Sequence, residues 1–212
     1  MKMLRVLLLV GFAIIARVPG QTNSVLPTET SGQTVETIVC IRHGEKPHGG
    51  LGQLTCRGLN RALALPKVLL AKYGAPQFIF APNPTQKVDA KSEKAGYYYV
   101  RPLATIEPTA IRCGLAVNTQ FGFREINGLE RELKKTEYRN TTVFVVWEHG
   151  LLDEFAKNLV KDNGGDPAQV PGWPDKDYDT IFLFKITHTP DGDSVVFTID
   201  HEGLDNLSDD CP

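Results

Sequence analysis

Two stretches of the 212-residue sequence end an apolar run in His-Gly: Ile38 to Glu45 reads IVCIRHGE, and Val143 to Leu151 reads VFVVWEHGL. A charged residue precedes each histidine, Arg42 before His43 and Glu148 before His149. An apolar, β-branched run that stops at a charge reads as a strand leaving its sheet. In α/β sheets, ligands bind just beyond such carboxyl ends. Glycine after each histidine lets backbone and ligand approach closely. His43 and His149, 106 positions apart, are therefore expected to face one crevice. Three readings fit the pair. Each imidazole could simply end a strand. It could ligate a metal, but a catalytic zinc takes about three protein ligands, and no HxH or HExxH spacing accompanies these two. Or an imidazole nitrogen could attack phosphorus, with guanidinium groups matched to the phosphoryl oxygens. That third reading requires cations beyond Arg42.

Bringing two strand ends together requires a sheet, and the sequence supplies one. Strands are predicted over Thr37 to Ile41, Gln77 to Ala81 and Thr141 to Trp147. A final pair, Thr180 to Thr187 and Ser194 to Asp200, flanks the hairpin signal Pro190-Asp191-Gly192-Asp193. Helical patterns fall between them. The first runs from Leu59 to Tyr73 with Thr55 as N-cap, Gly74 as stop and an expected kink at Pro66; others cover Leu103 to Cys113, part of Gly122 to Lys135, and Leu151 to Val160. Alternation of this kind predicts a three-layer α/β/α sandwich with a mostly parallel central sheet and a C-terminal β-hairpin.

The N-terminus reads as an address. Met1 to Arg5 is cationic, Val6 to Ala16 is an eleven-residue apolar stretch, and cleavage is expected before Gln21. Eleven residues rise about 16 Å as a helix, roughly half a bilayer core, so residues 1–20 read as a signal peptide rather than a membrane anchor. Residues 21–34 form a flexible lead-in and 35–212 the folded domain. The chain holds 23 basic and 25 acidic side chains; removing residues 1–20 takes three cations and no acid, leaving a net charge of −5. That balance argues against nucleic acid as a partner. A secreted or periplasmic location permits disulfides. With no CxxC present, Cys56 and Cys211, which flank turn-rich sequence, are the expected pair, and Cys40 in its apolar run is an expected buried thiol. Asn140 and Asn206 stand in N-x-[ST] contexts.

RHGE at Arg42 to Glu45, followed by LTCRGLNRALAL over Leu54 to Leu65, resembles the opening of the histidine phosphatase superfamily, the phosphoglycerate mutase-like proteins. These show RHG at the first strand end and then L-T-x-x-G-x-x-x-A. YVRPLATIEPTA (Tyr99 to Ala110) is similar to the family's R-A-x-x-T-A segment, matching Arg101 and Thr105; VVWEHG (Val145 to Gly150) is similar to its second His-Gly strand end. The matching segments lie in the family's order and cover most of Val35 to Val160. The resemblance implies a metal-independent phosphatase acting on small phosphate monoesters, with no cofactor, and the N-terminal address makes it a secreted one. His43 would become a phosphohistidine. Arg42, Arg101 and His149 would bind the phosphoryl oxygens. The rival from another class is a non-catalytic phosphate- or glycan-binding module on the same fold.

The sequence also departs from that pattern. Arg101 lies twenty positions beyond Ala81, so Pro82 to Tyr99 reads as an insertion, either covering the site or offering Lys87 in the arginine's place. Thr105 and Ala110 favour Arg101. Tyr97, Tyr98 and Tyr99 are expected to pack rather than to line a substrate pocket. For the general acid, Glu125 lies in the stretch where the resemblance implies one, and Glu148 is the other candidate, although strand alternation would turn it away from His149. Glu45 and Lys46 fall in the turn after His43. His48 is expected at the rim, and His188 and His201 on the hairpin surface.

Overall fold

β1 (Thr34–Arg42) organises the molecule. Its side chains alternate: Ile38 and Cys40 enter one apolar cluster, Val39 and Ile41 another, and all four are buried. A strand with both faces covered must be apolar throughout, which is why the run shows no polar alternation. The computed structural model describes residues 32–49, 52–88 and 96–212. The signal peptide read over residues 1–20, and the lead-in as far as residue 31, lie outside the described residues.

β5 (Thr142–Trp147) pairs in parallel with β1 on one side and with β2 (Phe78–Phe80) on the other. On its opposite edge β1 meets β6 (Thr180–Thr189), which turns back as β7 (Gly192–His201), so the order is β2-β5-β1-β6-β7. Only β6 opposes the other four, and the predicted C-terminal hairpin is in place. Two helices, α1 (Cys56–Tyr73) and α2 (Arg101–Cys113), cover one face through Leu65, Leu69, Ile106 and Ala110. The other face receives α3 (Ile126–Leu133) and α4 (His149–Asp162) through Ile126, Leu129, Leu152 and Phe155. These are the three expected layers. Among the described residues no helix is long and apolar enough to cross a membrane.

Local chemistry sets the ends that matter. Thr55 caps α1, its Oγ1 accepting from the Gly58 amide at 3.1 Å, and Gly74 at φ +74° stops the helix. α2 starts at Arg101 with Pro102 in its first turn, where a missing N–H is harmless. Behind α1, the buried Arg61 guanidinium grips Glu45 by Nε and Nη2, Glu202 by Nη1 and the Leu204 carbonyl by Nη2. The expected Cys56–Cys211 disulfide fastens the C-terminal segment to the same helix.

One expectation is corrected. His188 is not on the surface: β6 lies between β1 and β7, so alternate side chains are covered, and His188 is 7% exposed with Nε2 3.2 Å from Glu36. His201 and His48 are exposed. The insertion after Ala81 folds back on itself as a two-stranded ribbon, β3 (Lys87–Val88) against β4 (Tyr97–Tyr98); residues 89–95 lie outside the described residues.

Candidate active site

The parallel register sets Arg42 opposite Trp147, and the His43 amide donates to the Trp147 carbonyl at 3.1 Å. The two His-Gly strand ends therefore leave the sheet side by side. His43 is 1% exposed, and its Nδ1 lies 2.8 Å from the Gly44 carbonyl. A carbonyl only accepts, so Nδ1 carries the proton and Nε2 keeps its lone pair. Burial, then the charges of Arg101 and Arg42, holds this imidazole well below the usual histidine range, so it is uncharged at neutral pH. The following turn is tied down as well. The Gly44 amide donates to Thr105 Oγ1 at 2.9 Å, and that hydroxyl donates to the Arg101 carbonyl at 2.8 Å. Gly58 on α1 packs directly beneath, since a Cβ there would sit 2.5 Å from the Glu45 carbonyl. The glycine of the LTCRG segment is thus a spacing requirement for the turn that follows His43.

Two arginines enclose the imidazole. Arg42, 1% exposed, sends Nη1 to the carbonyls of Asp175 (2.7 Å) and Asp177 (2.8 Å) and lies 4.0 Å over the Tyr178 ring. Arg101, 3% exposed, stands 4.7 Å from the Tyr99 ring and 5.6 Å from that of Tyr97. Its Nε and Nη1 are buried and meet no hydrogen-bond partner among the described residues. Leaving buried donors unpaired costs roughly 1–3 kcal/mol each, more when charged, which an anionic ligand would recover. Burial, together with Arg101 and Arg42, lowers the Lys46 amine too, so three cations crowd one place. Lys87 is elsewhere: exposed, with Nζ 5.2 Å over the Tyr98 ring. Of the three tyrosines Tyr99 is buried against Phe123 and His43, while Tyr98 is exposed.

The second strand end differs. β5 stops at Trp147, one residue sooner than strand alternation assumed, and Glu148 becomes the N-cap of α4 with Oε2 accepting from the Leu151 amide at 2.9 Å. Its carboxylate therefore does not turn away from its neighbour: Oε1 is 2.6 Å from His149 Nδ1. His149 Nε2 meets Asp175 Oδ1 at 2.8 Å. Flanked by Glu148 and Asp175, and despite burial and the charge of Arg42, the imidazole titrates above its ordinary value. Burial would raise Glu148, but His149 and the amides of Leu151 and Gly150 hold it down at about 2. Glu148 is thus a fixed carboxylate that orients His149. Glu125 opens α3 and accepts from the Gly122 amide at 2.6 Å, two residues from Phe123, whose carbonyl accepts from Trp147 Nε1. Sequence reasoning missed Asp175 and Tyr178 altogether; they sit in the turn-rich PGWPDKDYD segment, which has no periodicity to align it with the sheet. Among the described residues no group of three or more His, Cys, Asp or Glu is arranged to hold a metal ion.

No family model and no curated relative matches the sequence. Solved structures do. A candidate phosphohistidine phosphatase, SixA, from Nakamurella multipartitia aligns at 16% identity over 79% of this chain and 96% of its own, with a TM-score of 0.51. A mycobacterial glucosyl-3-phosphoglycerate phosphatase, solved with inorganic phosphate, aligns at 15% identity over 77% of this chain and 95% of its own, with a TM-score of 0.52. The chain shares their fold.

Proposed function

We propose that this protein is a histidine phosphatase that hydrolyses phosphate monoesters through a phosphohistidine on His43. One observation carries the reading: an uncharged imidazole with Nε2 unprotonated stands beside the buried Arg101, whose Nε and Nη1 have no hydrogen-bond partner among the described residues. The Nε2 lone pair attacks phosphorus, and the bond to the ester oxygen breaks. Arg101, Arg42 and the His149 imidazolium donate to the three phosphoryl oxygens, which hold the developing charge. Water then attacks the phosphohistidine, phosphate departs, and the electrons of the N–P bond return to Nε2. In this scheme the guanidinium groups and His149 do the work that a metal does in other phosphatases. The shared fold supports the reading, as does the resemblance of RHGE and LTCRG to the family. Export fits the Cys56–Cys211 disulfide, which an oxidising compartment sustains.

The test is release of phosphate from an aryl phosphate, with and without chelator, by the wild type and His43→Ala. Release that resists chelator and vanishes in the variant is expected, with an acid-labile phosphate trapped on the wild-type protein by rapid quench. Loss of activity with chelator overturns the scheme. Tight phosphate binding without turnover would instead identify a binding module.

A further inference from the structure

The proposed reaction needs a proton at the ester oxygen as its bond to phosphorus breaks, and neither carboxyl group singled out in the sequence is suited to give one. Glu125 is tied to the Gly122 amide, and Glu148 is capped by the Leu151 amide and paired with His149. A third carboxyl group touches the site. We propose that Asp175 is the general acid and base of this reaction, an assignment that rests on the phosphohistidine reading.

Two independent contacts place it. The Asp175 carbonyl accepts from Arg42 Nη1 at 2.7 Å, so its backbone is gripped by one of the phosphoryl-binding groups. The carboxylate itself meets His149 Nε2 at 2.8 Å, the donor that a phosphoryl oxygen would use. The segment on either side is fixed: the Asp177 carbonyl accepts from Arg42 Nη1 and from Trp173 Nε1, the Asp177 carboxylate caps Thr180, and Tyr178 stacks on Arg42. The Asp175 side chain itself is 94% exposed, with room to swing away from His149.

A bound phosphoryl group and the Asp175 carboxylate compete for His149 Nε2. When the substrate takes that donor, Asp175 is displaced to the outer side of the phosphoryl group, where the ester oxygen must leave in line with the attack from His43. The charged groups facing it are His149 on α4, Arg42 on β1 and Lys46 in the turn after β1. His149 chiefly holds Asp175 below its ordinary value. Exchanging that imidazolium contact for a phosphoryl anion favours the protonated acid. The proton comes with the monoester monoanion or from solvent. As Nε2 bonds to phosphorus and the P–O bond breaks, the ester oxygen keeps the bonding pair and takes the proton from Asp175. In the second half the carboxylate takes a proton from the attacking water, whose oxygen bonds to phosphorus while the N–P pair returns to His43.

The experiment compares wild type with Asp175→Asn on para-nitrophenyl phosphate, whose phenolate leaves without a proton, and on glycerol phosphate, whose alkoxide cannot. Asp175→Asn is expected to lose at least ~100-fold in turnover of glycerol phosphate, the scale of one positioned proton transfer. First-turnover release of para-nitrophenolate should fall less than tenfold, and phosphohistidine should accumulate because water is no longer activated. Equal losses on both substrates would mean that Asp175 only positions His149, and would overturn the assignment. So would unchanged or increased activity, which would make the carboxylate a mere competitor for Nε2. If His43→Ala still forms product, the underlying phosphohistidine scheme fails instead, whatever Asp175 does.

Discussion

The two strand ends share a local sequence, apolar run then charge then His-Gly, and the fold gives them opposite electrostatics. At His43 the preceding residue is Arg42, the ring is buried, and its Nδ1 hydrogen bond runs to the Gly44 carbonyl. At His149 the preceding residue is Glu148, and both ring nitrogens face carboxylates. Cations and burial strip the proton from the first imidazole; anions keep it on the second. An electron-pair donor and a hydrogen-bond donor are thus made from one side-chain type by changing what surrounds it. A second pair makes the same point for arginine. Arg61 and Arg101 are both buried, but Arg61 is saturated by Glu45 and Glu202, whereas Arg101 has donors to spare.

The contrast can be broken at either end. The largest effect is expected at His43, where His43→Ala removes the proposed nucleophile and should lower turnover of an aryl phosphate by at least ~1,000-fold. His149→Ala and Arg42→Ala should each cost at least ~100-fold, the scale of one preorganised donor, measured as kcat/KM; near-normal activity in either would refute its role. A smaller effect sharpens the difference in charge. Glu148 is the main support of the raised His149 value, so in Glu148→Gln the alkaline limb of the kcat/KM profile should move to lower pH, with a several-fold loss at neutral pH. An unmoved limb would show that Glu148 does not set the charge of His149.

The smallest effect is on stability. Above about pH 6.5 the His43 imidazole is neutral in folded and unfolded chains alike. As pH falls below that, the unfolded chain takes the proton first, and stability drops by up to about 1.4 kcal/mol per pH unit until the depressed folded value is reached. His149 acts the other way: its contribution is complete below about pH 6.5 and is lost as pH rises through its raised folded value. The melting temperature of wild type should therefore fall relative to that of His43→Asn as pH is lowered from 7 to 5, and parallel curves would contradict the buried neutral state.

What the sequence revealed follows from how local each signal is. Thr55 as cap, Gly74 as stop, the β6–β7 turn and the layering of β1 all depend on neighbours a few positions away, and all were readable. Glu148 was misjudged because strand periodicity was carried one residue past Trp147, where the helix cap takes over. His188 was misplaced because β6 is an inner strand, a fact of sheet order rather than of hairpin sequence. Asp175 was invisible because its role depends on contacts 133 positions back to Arg42 and 26 back to His149.

Arg61 joins Glu45, two residues beyond His43, to Glu202, which lies 141 positions further along from Arg61. The scaffold behind the His43 imidazole is therefore closed by the far part of the polypeptide. An N-terminal fragment ending before residue 202 would hold the RHGE signature without a finished pocket, so the proposed activity should arrive only once that distal stretch has docked.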